Sequence, residues 1–95
     1  MFDLPRVWKF ATALNQLDDV IELMIPAGAK VLSAVNQRET LCVYAECDPQ
    51  APPVKRRFRV AGTDHPLTPA VNRRFVGTVI FMGGDFVLHV YELTD

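Results

Sequence analysis

The chain holds few of the residues from which covalent and metal-assisted chemistry is built. Among 95 residues there are two cysteines, two histidines and one serine, Ser33. The serine lies in no nucleophile-elbow pattern. A Ser33–Asp64–His65 triad can be written down, but adjacent Asp64 and His65 are poorly placed to orient one another. The five glycines (Gly28, Gly62, Gly77, Gly83, Gly84) fit neither a Walker nor a Rossmann phosphate loop. Cys42 and Cys47 fall in one apolar stretch, where five residues of extended chain span about 16 Å. A disulfide needs Cα atoms within about 7 Å, so the two are expected to stay unpaired. Four residues separate them, a gap a zinc knuckle allows, but the second ligand pair such a site needs is absent. No metal site, cofactor or catalytic residue is expected, and the chain reads as a non-enzyme.

Charge of one sign and long apolar runs are missing too. The net charge is -1, which argues against general nucleic-acid binding. No run of 18 apolar residues exists, so no membrane-crossing helix is expected. Residues 1–10 carry Asp3, Pro5, Arg6 and Lys9 and lack the apolar centre of a signal peptide. A cytoplasmic setting is expected.

What is present is apolar and β-branched. Hydrophobic residues make up 49% and charged ones 22%, which excludes a disordered tail. A 10.7 kDa chain is expected to leave roughly 5,500 Å² exposed on folding, and one domain spanning 1–95 can build its own core. Alternation of period two runs through nearly the whole sequence. Strands are expected at Val7–Ala11, Val20–Ile25, Lys30–Gln37, Leu41–Glu46, Lys55–Gly62, Phe75–Met82 and Phe86–Leu93. Leu14, Leu17, Ile21 and Met24 also fit a helical spacing. The β-branched run before Pro26 and the turn residues Asn15, Asp18 and Asp19 favour strand–loop–strand instead. Asp48–Pro53 holds three prolines and reads as a loop, as does Thr63–Pro69. The expected fold is all-β: a small antiparallel sandwich or barrel of six to seven strands, ending in a hairpin that turns at Gly83-Gly84.

Both faces of that last hairpin are apolar. Alternation places Phe75, Val79 and Phe81 on one face, and Val76, Ile80 and Met82 on the other. In the returning strand Phe86, Leu88 and Val90 oppose Val87, Tyr91 and Leu93. A strand wet on one side should alternate with polar residues. The hairpin is therefore expected to be covered on both sides, by a helix, a second sheet layer or another subunit. With no convincing long helix in the chain, a compact sandwich or roll that also self-associates, with the hairpin near the interface, is expected.

The segments VWKF (7–10), IPAGAKVLSAVNQ (25–37), LCVYAECDP (41–49), RRFRVAGTDHPL (56–67) and FVGTVIFMGGDFVLHVYE (75–92) follow one another in an order that resembles a family. It is that of short proteins of unknown function encoded by bacteriophages and prophages. The chain departs from that pattern in residues 11–19, where the connection is longer. The resemblance implies a phage or prophage source and an all-β fold, and it carries no catalytic residues with it.

The functional lead is a basic segment. Residues 55–74 hold Lys55, Arg56, Arg57, Arg59, Arg73 and Arg74 against one acid, Asp64. Arginine forks match phosphate and carboxylate geometry. Phe58 and Phe75 lie beside them in sequence and can stack on a base. The candidate ligand-binding residues are Arg57, Arg59, Phe58, His65, Arg73 and Arg74. His65 enters because it sits in a polar loop held on a sheet. The bland alternative is a solvated strand face, or ion pairs to Asp18, Asp19, Glu22 or Glu46. The expected function is a phage-encoded binding protein, acting in counter-defence, that sequesters a phosphate-bearing, nucleotide-type small molecule as a homo-oligomer in the host cytoplasm. The alternatives are an inhibitor that binds a host protein complex, or a virion or structural accessory protein.

Overall fold

A computed structural model of the chain describes residues 4–67 and 72–94. Residues 68 and 69 of the expected loop lie outside these. Seven strands run in chain order: β1 (Arg6–Ala13), β2 (Val20–Pro26), β3 (Lys30–Gln37), β4 (Thr40–Cys47), β5 (Pro53–Gly62), β6 (Arg73–Phe81) and β7 (Phe86–Leu93). They form two antiparallel sheets, of order β1-β4-β3 and β2-β5-β7-β6. The fold is all-β, and the sheets stay separate rather than closing into a barrel. The stretch 11–24 resolves as strand, short 3-10 turn (Leu14–Gln16) and strand.

The core is built by alternation. Ile21, Phe58, Val60, Val79, Phe81, Leu88 and Val90 project from the four-stranded sheet. Ala34, Leu41, Val43, Ala45 and Cys47 meet them from the three-stranded sheet. Full burial of each larger side chain contributes about 1.5–3 kcal/mol. Both cysteines are free and buried. Their odd spacing sends Cys42 and Cys47 to opposite faces of β4.

The layers come closest where β3 meets β6. There β6 carries a register shift between Phe75 and Gly77. The extra residue, Val76, packs against the core. One inserted residue reverses the alternation upstream of it. Phe75 thus leaves the face of Val79 and Phe81, where simple alternation put it. It lies instead beside Tyr91 on the outer face, ring centroids 5.5 Å apart and edge to face.

The connection from β6 to β7 also differs from the two-residue turn. Phe81 pairs with Phe86, so four residues intervene. Met82, Gly83 and Gly84 all take positive φ. Among the described residues, only one side of the β6–β7 pair is covered. The other faces outward with Phe75 and Ile80 more than half exposed.

Candidate functional site

β5 divides the basic segment between two faces. Lys55, Arg57 and Arg59 point outward, as alternation requires, and Arg56, Phe58 and Val60 point inward. Phe58 is wholly buried. Its ring belongs to the core and presents no face on which a base could stack.

The inward arginine meets an acid that the basic segment does not contain. Glu92 of β7 is 3% exposed. It accepts hydrogen bonds from Arg56 Nε and, at 3.0 Å, from Arg56 Nη2. Arg74 Nη2 donates to the same carboxylate at 3.1 Å. Arg56 Nη1 also donates to the Ala29 carbonyl at 2.8 Å. A buried charge persists only when paired and hydrogen-bonded, and here one carboxylate holds two guanidiniums. Arg74 is therefore engaged by Glu92 rather than joined to the outward arginines. A lone Glu at an inward position of β7, after Leu88 and Val90, was the available signal for this network.

Arg59 is also committed. Its guanidinium donates to the carbonyls of Val60 (2.7 Å), Pro66 (2.9 Å) and Asp19 (3.2 Å). It lies 3.6 Å from the exposed Asp19 carboxylate. This side chain ties the loop after β5 to the start of β2. His65 is set by the same loop. Its amide donates to the Gly62 carbonyl at 3.1 Å, and Asp64 takes positive φ between them. The His65 ring lies against Gly62, at 2.9 Å from the place a Cβ would take. It separates two shallow hollows of about 220 and 250 Å³, one toward Asp19 and Leu88 and one toward Asp85 and Val87.

The remaining candidates converge on the outer face of the four-stranded sheet. Its register sets Glu22, Arg57, Leu93 and Arg73 in one row across β2, β5, β7 and β6. The next row is Val20, Arg59, Tyr91 and Phe75. The Arg73 guanidinium lies over the Tyr91 ring, 5.5 Å from its centroid. Arg57 and Arg73 flank Leu93 from either side, two strand spacings or about 10 Å apart. Above Tyr91 the face continues with His89, whose two ring nitrogens meet the hydroxyls of Thr63 (2.9 Å) and Thr78 (3.0 Å). Arg57 also borders a cleft of about 710 Å³ between the end of β1 and β2, with Thr12, Gln16, Asp18 and Glu22.

The structure thus brings Arg57, Arg59 and Arg73 onto one face and adds Tyr91 and Phe75. Sequence reasoning missed Tyr91 as a site residue, although an outward aromatic between arginine-bearing strands was its signal. Ser33 sits in the other sheet, opposite Tyr44, away from the loop that carries Asp64 and His65. Among the described residues no cluster of three His, Cys, Asp or Glu side chains could hold a metal ion. Nor is any helix among them long and apolar enough to cross a membrane.

Residues 5–95 match the family model described as a domain of unknown function (DUF7352). No curated protein and no solved structure matches the chain.

Proposed function

The chain belongs to the DUF7352 family, and we propose that it is a non-enzymatic binding protein for a phosphate-bearing, nucleotide-type small molecule. The observation that carries this reading is the Arg57–Leu93–Arg73 row beside Tyr91 and Phe75. Guanidiniums on both sides of β7 suit a phosphate, and the exposed Phe75 ring suits a base. Arg59, held on the same face by three backbone carbonyls, and Arg74, held beneath it by Glu92, support the site rather than contact the ligand. The protein self-associates through the same sheet. In a phage or prophage setting, which the sequence resemblance implies, such a protein would withdraw a signalling nucleotide of the host's defence.

The test is calorimetric titration of the full chain with a panel of mono- and dinucleotides and with inorganic pyrophosphate. Binding is expected for a member of the panel and is lost in Arg57→Glu and Arg73→Glu while the melting temperature is kept. Absence of binding across the panel, or equal affinity in both variants, overturns the reading.

A second reading draws on the exposed apolar side chains Phe75, Ile80, Met82 and Phe86. Apolar patches of this kind also suit docking to a protein, as an inhibitor of a host complex would require. Capture of one host protein at a fixed ratio, abolished by Ile80→Lys and indifferent to nucleotide, favours that reading.

A further inference from the structure

We propose that the open edge of β2 pairs antiparallel with β2 of a second copy, joining the two four-stranded sheets into one continuous sheet. This deepens the self-association in the reading above and rests on that part of it alone. It leaves the row of Arg57, Leu93 and Arg73 uncovered. Three observations carry it.

The first is a comparison of the sheet edges, β1 and β3 in one sheet, β2 and β6 in the other. An open edge is a template for another strand unless charge, a bulge or a covering segment blunts it. β3 and β6 cover one another. Asn36 Nδ2 donates to the Ile80 carbonyl at 2.9 Å, and Gly77 sits against the Ala34 backbone. Both strands also carry a register shift. β1 is guarded by Arg6 and Lys9, both exposed. β2 has none of these devices. Its residues 20–25 read VIELMI and pair with β5 in unbroken register. The one charge among them, Glu22, turns its carboxylate toward Lys55 of β5 at 3.8 Å, away from the open edge.

The second is what lies along that edge. The Val60 amide donates to the Asp19 carbonyl at 2.8 Å, so the Asp19 backbone faces β5. Backbone direction alternates along a strand. The backbone groups of Ile21, Leu23 and Ile25 therefore face β5, and those of Val20, Glu22 and Met24 face the open edge. Among the described residues these outward groups meet no other strand. The cleft of about 710 Å³ is lined by the consecutive residues 20–23. Consecutive side chains point to opposite faces, so a hollow that touches all four runs along the edge rather than over a face. Val20 and Met24 are exposed there, and Leu23 is half-buried between the buried Ile21 and Ile25.

The third is a register that fits itself. Opposed residues of an antiparallel ladder turn their backbone groups either both toward one another or both away. Val20, Glu22 and Met24 must therefore oppose outward residues of the partner. A two-fold centred on Glu22 would set two carboxylates side by side. Centring it on Ile21 or Met24 shortens the ladder. Centred on Leu23, it sets Glu22 opposite the partner's Met24 and Ile21 opposite the partner's Ile25. Each Glu22–Met24 pair then exchanges both backbone hydrogen bonds, and apolar side chains meet on the inner face. Pro26 ends the ladder, since it has no N–H and its carbonyl already accepts from the Ala29 amide at 3.2 Å. The two edges satisfy one another about a closed two-fold, so the assembly stops at a dimer.

The test combines sedimentation equilibrium and cross-linking of the full chain in nucleotide-free buffer. The wild type is expected to dimerise. Met24→Pro removes an amide at the open edge and no bond to β5. It is expected to weaken the dimer about tenfold or more. The two Leu23 positions face one another across the axis as a non-hydrogen-bonded pair, with Cα atoms about 4.5 Å apart. That is within disulfide reach. Treated with diamide, Leu23→Cys is expected to give a covalent dimer. Glu22→Cys, two residues out of register with its own counterpart, is expected to give far less. Circular dichroism checks the fold of each variant, and the cross-linking decides alone if Met24→Pro does not fold. A monomeric wild type overturns the proposal and the self-association with it. A folded Met24→Pro protein that dimerises as the wild type does, or a Glu22→Cys protein that cross-links as readily as Leu23→Cys, overturns the β2 contact alone. Nucleotide binding is read in a separate titration, so a failed dimer and a failed ligand are told apart.

Discussion

Arg56 and Glu92, 36 residues apart in the chain, meet through two hydrogen bonds beneath the outer face of the four-stranded sheet. The pair sits at inward positions of β5 and β7, with Arg74 on the same carboxylate and the apolar core beyond. Its effect is to let a basic strand cross the core. Arg56 would carry an uncompensated charge into the sandwich, and Glu92 cancels it there.

The first prediction follows from that asymmetry. Removing one member of a buried pair leaves the other desolvated and unpaired. Glu92→Ala is expected to cost about 3–5 kcal/mol in urea unfolding. Arg74→Ala, which removes the half-exposed donor to the same carboxylate, is expected to cost under about 1 kcal/mol. Equal losses in the two variants would show that Glu92 serves Arg74 and not Arg56.

Arg59 and Arg57 give the second prediction. They stand two residues apart on one face of β5, yet their surroundings differ. Arg59 is spent on three carbonyls that join β5, its following loop and Asp19. Hydrogen bonds from a charged donor contribute more than neutral ones, so Arg59→Ala is expected to cost about 2 kcal/mol. It should also speed amide exchange at His65, whose loop Arg59 holds. Arg57 is exposed, so any interaction it makes is a surface one, and Arg57→Ala is expected to cost under about 1 kcal/mol, less than Arg59→Ala. A large loss from Arg57→Ala would make it a structural residue and remove it from the ligand site.

The third concerns how closely the layers meet. A Cβ placed on Gly77 would lie 3.0 Å from the Ala34 carbonyl oxygen and 3.4 Å from its nitrogen. Both are backbone atoms of the facing strand, which cannot step aside as a side-chain tip would. Gly77→Ala is expected to destabilise by about 1–3 kcal/mol. Chemical shifts should move in β3 as well as β6. A neutral substitution would mean that β3 and β6 slide freely past one another.

These residues also show where the sequence was readable. Alternation identified the strands and divided β5 into Arg57 and Arg59 outside, Phe58 and Val60 inside, because a half-buried strand enforces period two. It misplaced Phe75 because a one-residue bulge at Val76 leaves no local mark and reverses every position upstream. It missed the Arg56–Glu92 pair because that contact is set by strand order, and β5 beside β7 is a tertiary fact. Phe58 looked available for stacking on composition alone. Its inward position follows from the same alternation that sends Arg57 outward.

Cys47 supplies the last prediction, and it concerns pH. Burial pushes its thiol above the ordinary value of 9.0, partly offset by the Trp8 backbone and the charge on Arg56. The thiolate is thus disfavoured in the folded chain, where the thiol donates to the Ala45 carbonyl. As pH rises past about 9 the unfolded chain gives up this proton while the folded chain keeps it. The contribution of Cys47 is fully present below that point. It declines as pH climbs from the unfolded value through the folded one. The stability of the wild type relative to Cys47→Ala should therefore be constant near neutrality and fall above about pH 9. Native protein should likewise react with a thiol reagent far more slowly than unfolded protein at the same pH. Parallel stability curves for wild type and variant across this range, together with rapid labelling of native Cys47, would place the thiol in water rather than against the core.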